Sequence, residues 1–127
     1  MSYTIKNLRE VQDVAPRFGF DRVQEARFAR RDLEAEDTGV AYHVIKPGAQ
    51  GGAHRHRAAE EVYVVLSGSG QASLDGQVID LGPMDALRLA PSVVRAFRAG
   101  EDGLELLVFG PHHEGDGELL DEDPWAS

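Results

Sequence analysis

Apolar and polar residues alternate with a period of two along most of this chain, the pattern of strands that bury one face. Residues 23–30 and 38–46 read as strands, separated by the polar stretch 31–37. Lys46-Pro47-Gly48 closes the second. Further strands follow at 61–66, 70–74, 77–81, 85–89, 93–98 and 104–109, divided by Ser67-Gly68-Ser69, Asp75-Gly76, Gly82-Pro83, Pro91-Ser92 and the stretch 100–103. Asp75-Gly76 between two short apolar runs predicts a tight hairpin. Only the beginning departs from this rhythm: 7–15 predicts a short helix with Leu8, Val11 and Val14 on one face, stopped by Pro16. Many short strands with frequent turns predict an all-β sandwich or barrel.

The stretch 61–66 is apolar on both faces. Tyr63 and Val65 share parity with Glu61 and are expected inside, whereas Val62, Val64 and Leu66 face the other way. A strand buried on both sides needs a second layer. The N-terminal strands are expected to supply it, within the chain or across a homodimer.

With 127 residues the chain is read as one domain. It divides into N-terminal strands in 22–37, a barrel over about 38–110 and an acidic tail, 111–127. There is no cysteine, so any metal must take nitrogen and oxygen ligands, and the composition suits the cytoplasm. No run is long and apolar enough to span a membrane, and the first residues lack a secretory pattern. The net charge is −9, and six acids of the tail (Glu114, Asp116, Glu118, Asp121, Glu122, Asp123) supply much of it without a Lys or Arg among them. That argues against nucleic-acid binding, which needs clustered positive charge. The tail is expected to be loose and solvated, with Leu119-Leu120 and Trp125 available to dock on the body or on a partner subunit.

The chemistry concentrates in Ala53-His54-Arg55-His56 and Glu61. If the backbone is extended there, His54 and His56 point to one side, and a turn brings the Glu61 carboxylate opposite. Two imidazoles and a carboxylate suit a divalent ion of iron, manganese, nickel or zinc.

These residues resemble the cupins, small double-stranded β-helix (jelly-roll) barrels. The first cupin motif, Gly-x5-His-x-His-x3–4-Glu-x6-Gly, is met by Gly48, His54, His56, Glu61 and Gly68. The resemblance implies a barrel over roughly 38–110, a metal on His54, His56 and Glu61, and a tendency to dimerise. The second motif, Gly-x5-Pro-x-Gly-x2-His-x3-Asn, is not met. Met84, Ala90, Ser92, Arg95 and Ala99 stand at its positions, so Arg95 replaces the histidine that would be the fourth ligand. The resemblance implies that Arg95 points into the barrel toward His54, His56 and Glu61, and that Phe97, which shares its parity, lines the cavity with Tyr63.

A guanidinium has no lone pair to give a metal. At about 6 Å from a divalent ion, with an effective dielectric near 20, its charge is unfavourable by roughly 5 kcal/mol before screening. Two arrangements answer this. In one a metal sits on the three ligands and a small anionic or oxygenated molecule bridges it to Arg95, with Tyr63 assisting as a proton donor or acceptor. In the other there is no metal, Arg95 pairs with Glu61, and the protein is a non-catalytic small-molecule binder or accessory protein. His43, one strand earlier, is a weaker candidate for the fourth ligand. His112-His113 are adjacent, so on an extended chain they point apart, and a solvated role is expected.

Overall fold

The computed structural model describes residues 2–126 and contains eight strands: β1 (Gln24–Phe28), β2 (Gly39–Ile45), β3 (His54–His56), β4 (Glu61–Leu74), β5 (Gln77–Leu81), β6 (Ala86–Leu89), β7 (Arg95–Gly110) and β8 (Gly117–Leu119). They form one curled antiparallel sheet in the order β1-β2-β7-β3-β8, with β4 bonded to β5, β6 and β7. The all-β barrel expected from the alternation is formed, as the double-stranded β-helix that the cupin resemblance implies.

Two long bent strands, β4 and β7, hold the barrel together. Each had read as two strands split by a glycine-containing break. The breaks are β-bulges instead: register shifts fall at Val65/Ser67 and Gly68/Gly70, and the ladder resumes beyond them. A bulge bends a strand without ending it. Gly68 has φ +83°, and a Cβ there would sit 2.0 Å from the carbonyl oxygen of Gly103, so only glycine lets the two strands approach so closely. The Asp75-Gly76 hairpin is formed as expected, with positive φ at both residues (49° and 86°) and Leu74 opposite Gln77.

The expected helix over 7–15 does not form. Two 3-10 turns, Leu8–Glu10 and Ala15–Phe18, take its place, and Pro16 lies in the first turn of the second rather than ending a helix. The cause lies between them. The Asp13 carboxylate accepts the backbone N–H of both Ala15 and Ala26 at 2.9 Å, and Asp13 bridges to Arg27 beside β1. Sheet pairing thus pulls the middle of the segment straight.

Val65, Ala72, Phe97, Leu104, Leu106 and Val108 lie in the core, contributed mostly by alternate residues of β4 and β7. The outer face of β4 is not covered by β1 and β2, which extend the sheet beyond β7 instead of layering on it. Leu66 (40% exposed) and Phe109 (38%) consequently remain on the surface. The acidic tail also departs from expectation. β8 pairs with β3, Ser73 Oγ donates to the Pro124 carbonyl at 2.6 Å, and Trp125 stacks on the Arg98 guanidinium at 4.4 Å while its indole N–H reaches the Gly51 carbonyl. Of the docking residues expected in the tail, Trp125 docks and Leu120 is half-buried with its N–H on the Ala53 carbonyl, whereas Leu119 is 69% exposed.

Candidate metal centre

β3 is extended, so His54 and His56 leave it on the same side, with ring centroids 5.5 Å apart. Glu61 opens β4. One ligand-type atom from each of His54, His56 and Glu61 lies within 4.8 Å of the others, the one such group among the described residues. His56 Nε2 is 3.2 Å from Glu61 Oε1, and the Tyr63 hydroxyl donates to the same oxygen at 2.7 Å. All four side chains, with Phe97 and His43, line one part of an open cavity of about 1060 Å³ that extends over the N-terminal 3-10 turns and the 110–119 segment.

Burial lowers the proton affinity of His54 to a pKa of about 4, with Glu61 opposing the shift and Arg95 adding to it. His54 is therefore a neutral imidazole with a free lone pair near neutral pH. His56 is raised, chiefly by its hydrogen bond to Glu61 and against the effect of burial. Burial pushes Glu61 up, but hydrogen bonds from His56 and Tyr63 and the nearby positive charges outweigh it and hold the carboxylate ionised. Burial and the Glu61 charge raise the Tyr63 hydroxyl well above 10. It stays protonated, so Tyr63 is a donor that orients Glu61 and not a base.

Arg95 is 0% exposed and stands across the ladder from His54. Its guanidinium does not pair with Glu61. It donates to the carbonyls of Ala90 (3.1 Å) and Pro91 (3.4 Å), and its Nε is buried without a partner. The Pro91 carbonyl also accepts the His56 backbone N–H at 2.8 Å, so Arg95 ties the β6–β7 turn to the histidine strand. It is not among the residues lining the cavity. It acts on the site through space, lowering the proton affinity of all three candidate ligands.

His43 faces the same cavity, edge-on to Phe28 at 5.3 Å, and burial lowers its pKa to about 4. It is not part of the ligand cluster. His112 and His113 are exposed at the cavity mouth. One site residue escaped the sequence reading. Asp116, in the acidic tail, is only 8% exposed, and its Oδ2 lies 3.2 Å from His56 Nδ1. Flanking glycines are all that sets it apart in sequence from the other five tail acids.

The cupin domain family matches residues 41–110, more than half of the chain. This protein is a cupin. No curated protein matches its sequence. Among solved structures, the cupin is similar to a cupin protein from Bacteroides fragilis (TM-score 0.68, 23% identity, covering 97% of this chain and 92% of that one). A Klebsiella pneumoniae protein with a double-stranded β-helix domain superposes at TM-score 0.73 and 18% identity, covering 93% and 97%. Oxalate decarboxylase from Bacillus subtilis gives TM-score 0.68 and 24% identity over 77% of this chain, which spans only 28% of that enzyme. Identities this low establish a shared fold and nothing finer.

The donor set fits a divalent metal. His54 is neutral, Glu61 is ionised, and His56 presents Nδ1 to the Asp116 carboxylate and Nε2 to Glu61, so a metal replacing the Nε2 proton would leave Nδ1–H donating to Asp116. Three protein ligands leave further coordination positions open.

Proposed function

We propose that this cupin binds a divalent metal through His54, His56 and Glu61, and a small anionic or oxygenated molecule in the adjoining cavity. The observation that carries the reading is the convergence of the three ligand atoms within 4.8 Å on the wall of a cavity large enough for a small metabolite. When bound, such a metal supplies Lewis acidity or oxygen activation. The chain's own residues do the rest. Tyr63 and Asp116 orient two ligands, and Phe97, ring against ring with Tyr63 at 4.7 Å, gives the cavity an apolar floor. The buried Arg95 charge, with no carboxylate partner, favours a negatively charged occupant through space. A small carboxylate is also what the name of the Bacillus subtilis relative implies for that enzyme.

A metal-free binding protein is the second reading. It has one observation in its favour: His56 and Glu61 already contact each other at 3.2 Å, across the place a metal would take. Its inner contact is this His56–Glu61 pair and not an Arg95–Glu61 pair, because the guanidinium donates to the Ala90 and Pro91 carbonyls. In either reading the protein binds a small molecule in the cytoplasm, without nucleic acid or membrane. It works as a homodimer, for which the exposed Leu66–Phe109 face is suited.

Metal content decides between the two. Protein purified without an affinity tag is expected to carry, or take up, one equivalent of Fe, Mn, Ni or Zn, and His56→Ala is expected to lose it. Wild-type protein that neither contains nor binds any of the four ions would rule the metal reading out.

A further inference from the structure

We infer that Asp116 is a positioning residue for His56, so that the C-terminal segment completes a site the barrel alone leaves unfinished. Its consequence for metal binding rests on the reading above. The placement of the imidazole does not.

The geometry is specific. Asp116 Oδ2 faces His56 Nδ1 at 3.2 Å and also accepts the Ala59 N–H at 3.1 Å, while Oδ1 accepts the Ala58 N–H at 2.8 Å. Both oxygens are thereby engaged with the loop that leads from β3 to Glu61. The aspartate backbone is fixed as well. Its carbonyl accepts the Arg57 N–H at 3.2 Å, and the residues that follow pair His56 with Gly117, Arg55 with Glu118 and His54 with Leu119. A carboxylate on one ring nitrogen of a histidine sets the tautomer and aims the other nitrogen. Here the aimed atom is Nε2, which faces Glu61.

Asp116 lies outside the residues 41–110 matched by the cupin family. The contact therefore comes from the C-terminal segment and not from the matched motif residues. It is one of several that hold the acidic segment on the barrel beside the histidine strand.

The test is nitrogen NMR of the His56 ring in metal-free Glu61→Ala protein, where no second carboxylate competes for the ring proton, at a pH where the ring is neutral, alongside calorimetric titration with Zn²⁺ of protein that keeps Glu61. With Asp116 in place the ring is expected to hold the Nδ1–H tautomer. Asp116→Asn and Asp116→Ala are expected to shift it toward Nε2–H and, where Glu61 is kept, to weaken Zn²⁺ binding about 10–100-fold. Ser73→Ala, which loses the tail's bond to Pro124, is expected to change neither. Variants at Asp116 that lower the melting temperature but leave tautomer and Zn²⁺ affinity unchanged would show a purely structural role and overturn the inference. So would an Nε2–H tautomer while Asp116 is present. If protein with Glu61 binds no Zn²⁺ yet the tautomer shifts as expected, positioning stands and the metal reading falls alone.

Discussion

Arg95 and His54 face each other across an antiparallel pair of strands, so a buried cationic residue stands directly opposite a candidate metal ligand. Directly opposed residues project from the same face of a sheet. Replacing the cation by a ligand should therefore complete the site. Arg95→His is expected to raise metal affinity by roughly tenfold or more and to add a nitrogen ligand, as read from the visible spectrum of the Co²⁺ form. Arg95→Met, which removes charge at similar length, is expected to raise the proton affinity of His54 and His56, because Arg95 now lowers both. NMR titration of the two rings measures this, and unchanged titration would show that Arg95 is electrostatically remote.

Acid should destabilise the protein before its carboxylates titrate. Burial, with the Glu61 charge opposing it, depresses His43 from 6.5 to about 4 in the folded state. Above pH 6.5 the ring is neutral in both states and contributes nothing. As pH falls from there toward 4, the unfolded chain takes up a proton that the folded chain refuses, and stability is lost. By pH 4.5 the loss from this residue is roughly 2–3 kcal/mol. His54 adds a loss of the same sign, whereas the raised His56 works the other way, its stabilisation fading as pH rises. Urea unfolding of His43→Leu at pH 7 and pH 4.5 is expected to show a smaller drop than wild type. An equal drop would mean that His43 is protonated in the folded protein.

Trp125 is the chain's single tryptophan and reports on the docked tail. Its ring lies over Arg98 and its N–H on Gly51. An exposed cation–π contact is worth about 0.5–1 kcal/mol, so Arg98→Ala is expected to loosen the tail without unfolding the barrel. The checks are a red shift of the emission and easier acrylamide quenching, with the far-UV circular dichroism preserved. Emission that is already fully exposed in wild type would contradict the docked arrangement.

How far local pattern reaches is visible residue by residue. Alternation placed Tyr63, Val65 and Phe97 inside, and the same period of two put His54 and His56 on one side, because side-chain direction in a strand is a local property. The Asp75-Gly76 turn was equally legible, since it depends only on backbone angles that few residue types adopt. Gly68 was visible but ambiguous. A glycine with positive φ serves a turn or a bulge alike, and only the partner strand at Gly103 decides that the chain continues.

What the amino-acid sequence determined by itself is therefore the barrel, the side each strand buries and the three convergent ligand candidates. The tertiary structure alone decided that Arg95 bonds to the Ala90 and Pro91 carbonyls and not to Glu61, that β1 and β2 extend the sheet without covering β4, and that Asp116 meets His56 from 60 residues away. The physical reason is common to all three. Facing and turning are set by neighbours along the chain, whereas the partner of a buried charge or a strand edge is set by closure of the whole sheet, among several acids and edges that look alike in sequence.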